Sequence, residues 1–202
     1  EVEYSTILDT PASGVCGSGY IDAIAGLLRA GIIDRGGKFD PKLIHSRIRE
    51  GEYGREFVIA FKEEVGTTTD LIINEMDIEN LKRAKGAIYA ASAMLVNHMG
   101  FGFNDLEQVY IGGGFGTYVD MPNAIFIGLL PDLPREKFVF VGNSSLVGAR
   151  QILLSHEAIM DADEIARKIT YFELSVEPGY MDEYMASLFF PHTDLTKFPS
   201  VK

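Results

Sequence analysis

Three consecutive glycines, Gly112, Gly113 and Gly114, lie between an apolar segment and a helix-forming segment, and Phe115 and Gly116 follow them. Glycines leave the backbone unshielded, so a flat ligand can lie directly against it. Peptide N–H groups in such a strand-to-helix turn commonly face the phosphate or ribose of a nucleotide. The alternative is a tight turn that needs positive φ. The spacing matches neither the dinucleotide fingerprint nor the phosphate-binding loop with its lysine.

A second candidate is a basic cluster at the start of a long predicted helix. Lys82, Arg83 and Lys85 lie within four positions, and Glu79 precedes Lys82 by three. Such a cluster is unusual in a chain with a formal net charge of −11. Lys82 and Lys85 share one face of the helix because they are three positions apart. The cluster is either a solvated helix face or a small positive patch over the ribose or phosphates of a nucleotide.

A third candidate, Asn143, follows the second predicted strand and precedes a helix. Ligands of open α/β sheets bind in the crevice outside the carboxyl ends of the strands, so Asn143 could face one there. The four histidines are scattered without the spacing of metal ligands, so we expect no metal site. No arrangement of nucleophile, base or paired carboxylates can be argued from sequence order, and the catalytic residues stay unassigned.

Composition limits the classes of partner. The chain has 202 residues, 47% of them hydrophobic, and its sequence pI is about 4.8. This acidity argues against nucleic acid or an anionic membrane surface as the main partner. A single cysteine, Cys16, cannot form an internal disulfide or hold an iron–sulfur cluster alone. Because no apolar run reaches the roughly 18 residues of a membrane span, we expect a cytoplasmic protein.

The elements that position these candidates follow from periodicity and turn residues. A glycine-rich turn leads into a helix from Tyr20 to Ala30, which Ser18 can cap. The long helix runs from a capping Asp77 to about Met99, and its buried stripe is predicted as Ile78, Leu81, Ala84, Ile88, Ala91 and Leu95. The strands are predicted at 55–62 and 71–74 as a hairpin, and at 107–111, 137–141 and 170–176. Further helices are predicted from Pro122 to Gly128, from Ser144 to Leu154, from Asp161 onward and from Tyr180 to Phe189. Interleaved helices and strands predict an α/β fold, a layered mixed sheet with helices packed on it.

With these residues in hand, the chain resembles the second half of the ATPase domain of the reductive activators of corrinoid proteins. These activators belong to the superfamily of actin, sugar kinases and heat-shock chaperones. The matching segments are Gly14-Val15-Cys16-Gly17-Ser18-Gly19 with the helix after it, Arg83-Ala84-Lys85-Gly86-Ala87-Ile88, the glycine cluster, Ile127-Gly128-Leu129-Leu130-Pro131, Val141-Gly142-Asn143-Ser144-Ser145, and Leu188-Phe189-Phe190-Pro191. The resemblance covers about the whole chain.

The resemblance implies a role for each matched position. The fold would be the ribonuclease-H-like half of an actin-like ATPase. Gly112, Gly113, Gly114 and Phe115 would lie under the adenine or ribose of ATP. Glu79, Lys82 and Arg83 would lie across from them on the neighbouring helix, with Asn143 also at the nucleotide. Such activators use ATP, with magnesium, to drive the one-electron reduction of cob(II)alamin to cob(I)alamin on a methyl-transferring corrinoid protein.

The resemblance also implies that residues 1–202 are the C-terminal half of an actin-like ATPase domain. Residues 15–75 would form a smaller helix-plus-hairpin part and residues 76–202 the core α/β part. The iron–sulfur cluster and the phosphate-binding hairpins would lie N-terminal to this segment, so we expect the segment alone to be inactive. A homodimer is also expected. The alternatives are a non-catalytic binding and dimerisation module, or a small-molecule kinase of the same superfamily.

Overall fold

The computed structural model describes residues 2–6, 9–113, 116 and 118–201. Its helices are α1 (Gly17–Arg29), α2 (Glu75–His98), α3 (Met121–Phe126), α4 (Ser144–Leu154), α5 (His156–Lys168) and α6 (Tyr180–Ala186). Its strands are β1 (Ile48–Gly51), β2 (Gly54–Ala60), β3 (Leu71–Asn74), β4 (Val109–Gly112) and β5 (Phe138–Gly142). Helices and strands alternate along the chain, which confirms the α/β class.

The first sheet is antiparallel, with strand order β1-β2-β3. Ile48 pairs with Phe57 across β1 and β2, and Val58 pairs with Ile72 across β2 and β3. This arrangement confirms the predicted hairpin of 55–62 with 71–74. The short strand β1 was not predicted.

The second sheet is a parallel pair, β4 and β5, and it positions the glycine cluster. Val109 pairs with Phe138 and Ile111 with Phe140. The helix α3 lies between the two strands in sequence, as a parallel crossover requires. Both strands were predicted, at 107–111 and 137–141. The strands of this α/β chain thus form two small sheets among the described residues.

The main core joins the N-terminal helix and hairpin to the later helices. Its fully buried members include Ile21 and Ile24 of α1, Ile73 of β3, Ile78 of α2 and Ile127 after α3. Phe190, close to the C-terminus, belongs to the same cluster. The core therefore draws on residues from both sides of position 75, and the division into parts at 15–75 and 76–202 stays a prediction.

Helix α2 begins earlier than predicted and buries a different face. Asn74, rather than Asp77, is its N-cap, and Asp77 completes a capping box by accepting from the Asn74 N–H. The predicted buried stripe is wrong at Ala84, Ile88 and Leu95, which are exposed. The stripe that is buried runs through Ile78, Lys82, Lys85, Tyr89 and Ala93. Two lysines occupy the inner face because backbone carbonyls of other segments accept their hydrogen bonds.

Two helix starts and one predicted strand also differ from prediction, and α6 ends at Ala186 rather than at Phe189. Helix α1 is capped by the Cys16 sulfur, which accepts from the Gly19 N–H, and not by Ser18. Helix α5 begins at His156 after a Ser155 cap, before the predicted start at Asp161. Residues 170–176 form no strand, but an extended segment that ends in a 3-10 turn, because no neighbouring strand pairs with them in the described part of the chain.

Candidate functional site

Gly112 and Gly113, the described start of the glycine cluster, lie at the carboxyl end of the parallel pair β4–β5. Gly113 has a φ of +94°, and its N–H donates to the Gly142 carbonyl at 2.6 Å. A Cβ added to Gly113 would meet no atom of the described residues within 4 Å, so this backbone has open space beside it as far as those residues extend. A Cβ on Gly112 would lie 2.9 Å from Ser144 Oγ at the start of α4. The positive φ confirms a need for glycine at 113, while Gly114 and Phe115 lie outside the described residues.

Asn143 lies beside this turn, where β5 ends and α4 begins. Its side-chain Oδ1 accepts a hydrogen bond from the Leu146 N–H at 3.0 Å and so caps α4. An N-cap of this kind satisfies one of the backbone donors that a helix leaves free. The structure therefore brings Gly112, Gly113 and Asn143 together at one edge of the parallel pair. The Oδ1 of Asn143 is already engaged in the cap.

Glu79 and Lys82 form a second group, in the first turns of α2. Lys82 Nζ donates to Glu79 Oε1 at 2.9 Å and to the Gly36 carbonyl at 2.7 Å. Lys82 is only 8% exposed, so the solvated-face interpretation is wrong for this residue. The hydrogen bond from Lys82 lowers the pKa of Glu79 below its ordinary value. An ammonium has three N–H donors, and these contacts use two of them.

The other two basic residues of the cluster separate completely. Arg83 is exposed, on the side of α2 away from the core. Lys85 is 0% exposed, and its Nζ donates to the carbonyls of Phe189 and Pro191, the second at 2.6 Å. Burial, and then the charge of Lys82, lowers the pKa of Lys85 to about 7. The three basic residues of the cluster therefore have different environments. Lys82 forms a partly buried ion pair with Glu79, Arg83 lies on the surface, and Lys85 is buried.

The two groups of candidate residues have separate sets of contacts. Among the described residues, no hydrogen bond or ion pair joins Glu79, Lys82 or Arg83 to Gly112, Gly113 or Asn143. The contacts therefore assemble each group by itself, and a common ligand between them remains a prediction.

Sequence reasoning missed the C-terminal contacts around α2. Arg35, in a turn after α1, donates from Nε to the Phe190 carbonyl at 3.0 Å and from Nη2 to the His192 carbonyl. Buried His192 places Nε2 3.3 Å from Glu183 Oε1. A signal for the buried lysines was present: Ile78, Lys82, Lys85, Tyr89 and Ala93 follow the 4-3-4-4 spacing of one helix face.

Two further findings concern metals and membranes. Within the described ranges, no group of three or more His, Cys, Asp or Glu side chains is placed to hold a metal ion. The helices of the described residues include none that is both long and apolar enough to cross a membrane.

The chain belongs to a known domain family. Residues 1–202 match the family described as the C-terminal domain of RACo, the ASKHA domain. The chain is also similar to a solved structure, a reductive activator for corrinoid, iron-sulfur protein, with a TM-score of 0.94 and 51% identity. That match covers 98% of this chain and 32% of the solved chain. The family and this neighbour support the expected actin-like fold, and the family is of a kind that suggests nucleotide binding.

Two curated relatives carry related names. The corrinoid activation enzyme RamQ of Eubacterium limosum is 36% identical over 197 residues, which are 94% of this chain and 33% of that protein. The [Co(II) methylated amine-specific corrinoid protein] reductase of Methanosarcina barkeri is 35% identical over 159 residues, 79% of this chain and 25% of that protein. The chain spans about a third or less of the length of these relatives.

Proposed function

We propose that this chain supplies the adenosine side of the ATP site in a reductive activator of corrinoid proteins. The observation that carries the proposal is Gly113, which directly follows the parallel strand β4 and has open space beside it among the described residues, in a chain of the ASKHA family. A ligand in that space would meet backbone alone, which suits the flat face of adenine or ribose. The names of the solved neighbour and of both curated relatives support the corrinoid assignment.

The proposed roles follow from the contacts of each residue. The turn from Gly112 to Phe115 would carry the base or ribose. Glu79 and Lys82 hold each other at 2.9 Å, which leaves Glu79 Oε2 and one Lys82 N–H for a polar ligand. Arg83 adds a surface guanidinium beside them, and Asn143 borders the turn. None of these residues is proposed to act in the phosphate chemistry.

In the complete polypeptide, ATP with magnesium would supply the free energy for the unfavourable reduction of cob(II)alamin to cob(I)alamin. The electron would come from an iron–sulfur cluster held by another part of the polypeptide, since this chain has a single cysteine. The partner would be the corrinoid protein of a methyl-transfer system. We also propose that the activator is a homodimer, which light scattering on the complete protein tests directly.

The Gly113 turn is tested by Gly113→Ala in the complete polypeptide. A methyl group there enters the space assigned to the nucleotide, so ATP affinity should fall by about tenfold or more. Affinity is measured by calorimetric titration of ATP. Reduction of the partner's cob(II)alamin is followed by absorbance with a one-electron donor at limiting ATP.

Gly100→Ala is the matched control, because Gly100 also has positive φ (+78°) and no described atom within 4 Å of an added Cβ, but lies after α2. Both changes impose similar backbone strain, so only a ligand at 113 separates their effects on affinity. Equal ATP affinity in the two variants would remove the glycine turn from the site. ATP binding without ATP-dependent reduction would favour the alternative of a binding and dimerisation module.

The α2 residues are tested by Arg83→Met, with the exposed Arg167→Met of α5 as its control. Loss of a charge-assisted contact should weaken ATP binding by about tenfold in the first variant only. Lys82 is buried, so a reversal to Glu would also disturb the fold, and Lys82→Met is the better variant. Unchanged affinity in both Arg83→Met and Lys82→Met would exclude this end of α2 from the nucleotide site.

A further inference from the structure

Two cations bind four successive carbonyl groups near the C-terminus. We call residues 189–192 the C-terminal turn. Lys85 Nζ donates to the carbonyls of Phe189 and Pro191, whereas Arg35 donates to those of Phe190 and His192. The Phe190 N–H in turn donates to the Arg35 carbonyl at 2.8 Å. Alternate carbonyls thus face opposite cations, and the C-terminal turn is fixed between α2 and the loop after α1.

A charge at the position of Lys85 costs free energy. Its amino group is fully buried, and removal of a charge from water is unfavourable unless partners compensate, which is why the pKa of Lys85 is lowered to about 7. A methionine of similar length would fill the same space without that penalty. Unlike methionine, the Lys85 amino group holds the C-terminal turn in place, because its Nζ donates hydrogen bonds to two carbonyls of the turn.

The C-terminal turn is connected to the Glu79–Lys82 pair through the loop that contains Arg35 and Gly36. Gly36, which follows Arg35, uses its carbonyl to accept from Lys82 Nζ at 2.7 Å. A Cβ on the next residue, Gly37, would lie 2.7 Å from Ile78 Cγ2, 2.9 Å from Lys82 Cδ and 3.3 Å from Phe190 Cε2. The loop, α2 and the C-terminal turn therefore meet at Gly37 without spare space.

We propose that Arg35 and Lys85 are positioning residues for the Glu79–Lys82 pair and act on it through the C-terminal turn and the Gly36 carbonyl. This inference rests on the proposed function, since it assigns a purpose to the pair as part of the nucleotide site. Lys82 keeps its third N–H directed only while Gly36 and Glu79 hold the other two. Movement of the turn releases the Gly36 carbonyl and leaves Lys82 free to rotate. Neither Arg35 nor Lys85 needs to touch the nucleotide.

The test is a double-mutant cycle on ATP affinity in the complete polypeptide. Arg35→Met and Lys85→Met should each weaken ATP binding by about fivefold to tenfold, the range of coupled neighbours. In a Lys82→Met background, either change should weaken binding by less than about twofold, because the residue it positions is gone. Arg35→Lys keeps a charged nitrogen that can donate to a carbonyl of the turn, so it should recover part of the ATP affinity that Arg35→Met loses.

Lys137→Met is the control, because Lys137 Nζ also donates to two backbone carbonyls, those of Asn104 and Leu106, but lies outside the C-terminal turn. It should lower the melting temperature without a change in ATP affinity, as a purely structural contact does. If Lys85→Met does not fold, Arg35→Met and Arg35→Lys together test the inference. Unchanged affinity in folded Arg35→Met, or equal losses with and without Lys82, overturns the inference while the nucleotide site stands. Failure of the wild type to bind ATP overturns the proposed function and this inference with it.

Discussion

Helix α2 buries one face in the core, whereas the helices α4 and α5 bury none of their side chains. Helix α2 places two lysines on its inner face, and one of them is completely buried. The described helices α4 and α5 bury no residue, and their apolar side chains face outward. Those exposed side chains are Leu146, Val147, Ile152, Leu153, Leu154, Ile159, Met160 and Ile165.

The difference shows that the two regions are held by different forces. Around α2, carbonyls from distant segments compensate the buried charges, so the helix depends on tertiary contacts. The hairpin α4–α5 depends on local features. Asn143 and Ser155 cap its helices, and the exposed pairs Asp163–Arg167 and Glu164–Lys168 span one turn each. Large contiguous apolar patches on a protein surface often mark interaction sites.

The largest effect is expected where the C-terminal turn meets the end of α3. Gly128 has a φ of +76°, and a Cβ there would lie 2.1 Å from the Pro191 carbonyl oxygen. Gly128→Ala therefore combines a steric clash with backbone strain and should cost about 4 kcal/mol of unfolding free energy. Denaturant unfolding measures the loss. Gly100→Ala, with the same sign of φ and open space, should cost only about 1 kcal/mol; equal losses would mean that the close contact at 128 is not rigid.

A second prediction compares apolar side chains in the two regions. Ile125 of α3 is 0% exposed, whereas Leu153 of α4 is 85% exposed. Ile125→Ala should lower the unfolding free energy by about 3 kcal/mol, through lost transfer energy and a cavity. Leu153→Ala should change it by less than about 0.5 kcal/mol. A loss above 1 kcal/mol for Leu153→Ala in the present chain would show that the hairpin is packed, against the comparison drawn above.

A third prediction uses acid. The contact with His192, and then the Lys197 hydrogen bond, hold the pKa of Glu183 at about 2 despite its partial burial. Because the folded pKa is depressed, the stabilisation is fully present above about pH 4.5 and is lost as the pH falls toward 2. After allowance for solvent screening, it should be worth about 1–2 kcal/mol.

The measurement is the unfolding free energy of wild type and Glu183→Gln between pH 2 and pH 7. The variant should be less stable at pH 7 and should lose less stability on acidification. Glu164→Gln, in the exposed pair of α5, is the control and should match the wild type within about 0.5 kcal/mol. Parallel acid curves for wild type and Glu183→Gln would contradict the assigned role of this carboxylate.

Sequence reasoning succeeded where a local pattern is sufficient. The strands at 107–111 and 137–141 and the helix from Ser144 to Leu154 follow from apolar runs, glycine turns and a cap, and all three are present. The stripe of α2 failed because apolar residues were counted, while Lys82 and Lys85 are inside through carbonyls that lie distant in sequence. The alternation at 170–176 failed because a strand also needs a partner strand. Likewise, local patterns identified candidate site residues. Whether these residues share one ligand depends on their tertiary arrangement, which no local pattern contains.

The smallest expected effect tests whether the hairpin α4–α5 unfolds with the core. Gly148 of α4 and Gly26 of α1 are both helical, and a Cβ on either would meet no atom of the described part of the chain within 4 Å. Replacement of a helical glycine by alanine stabilises a helix by about 0.5–1 kcal/mol. Because α1 buries Ile21, Ile24 and Leu27 in the core, Gly26→Ala should raise the global unfolding free energy by that amount.

Gly148→Ala should behave differently, because α4 and α5 contribute no buried side chain whose exposure would open the core. Its gain should appear as slower amide hydrogen exchange within α4, by about threefold, and not in the global unfolding midpoint. The two readouts are measured on the same samples. A rise in the global midpoint equal to that of Gly26→Ala would show that α4, α5 and the core unfold as one unit. In that case α2 and α4–α5 would differ in side-chain burial but not in the cooperativity of unfolding.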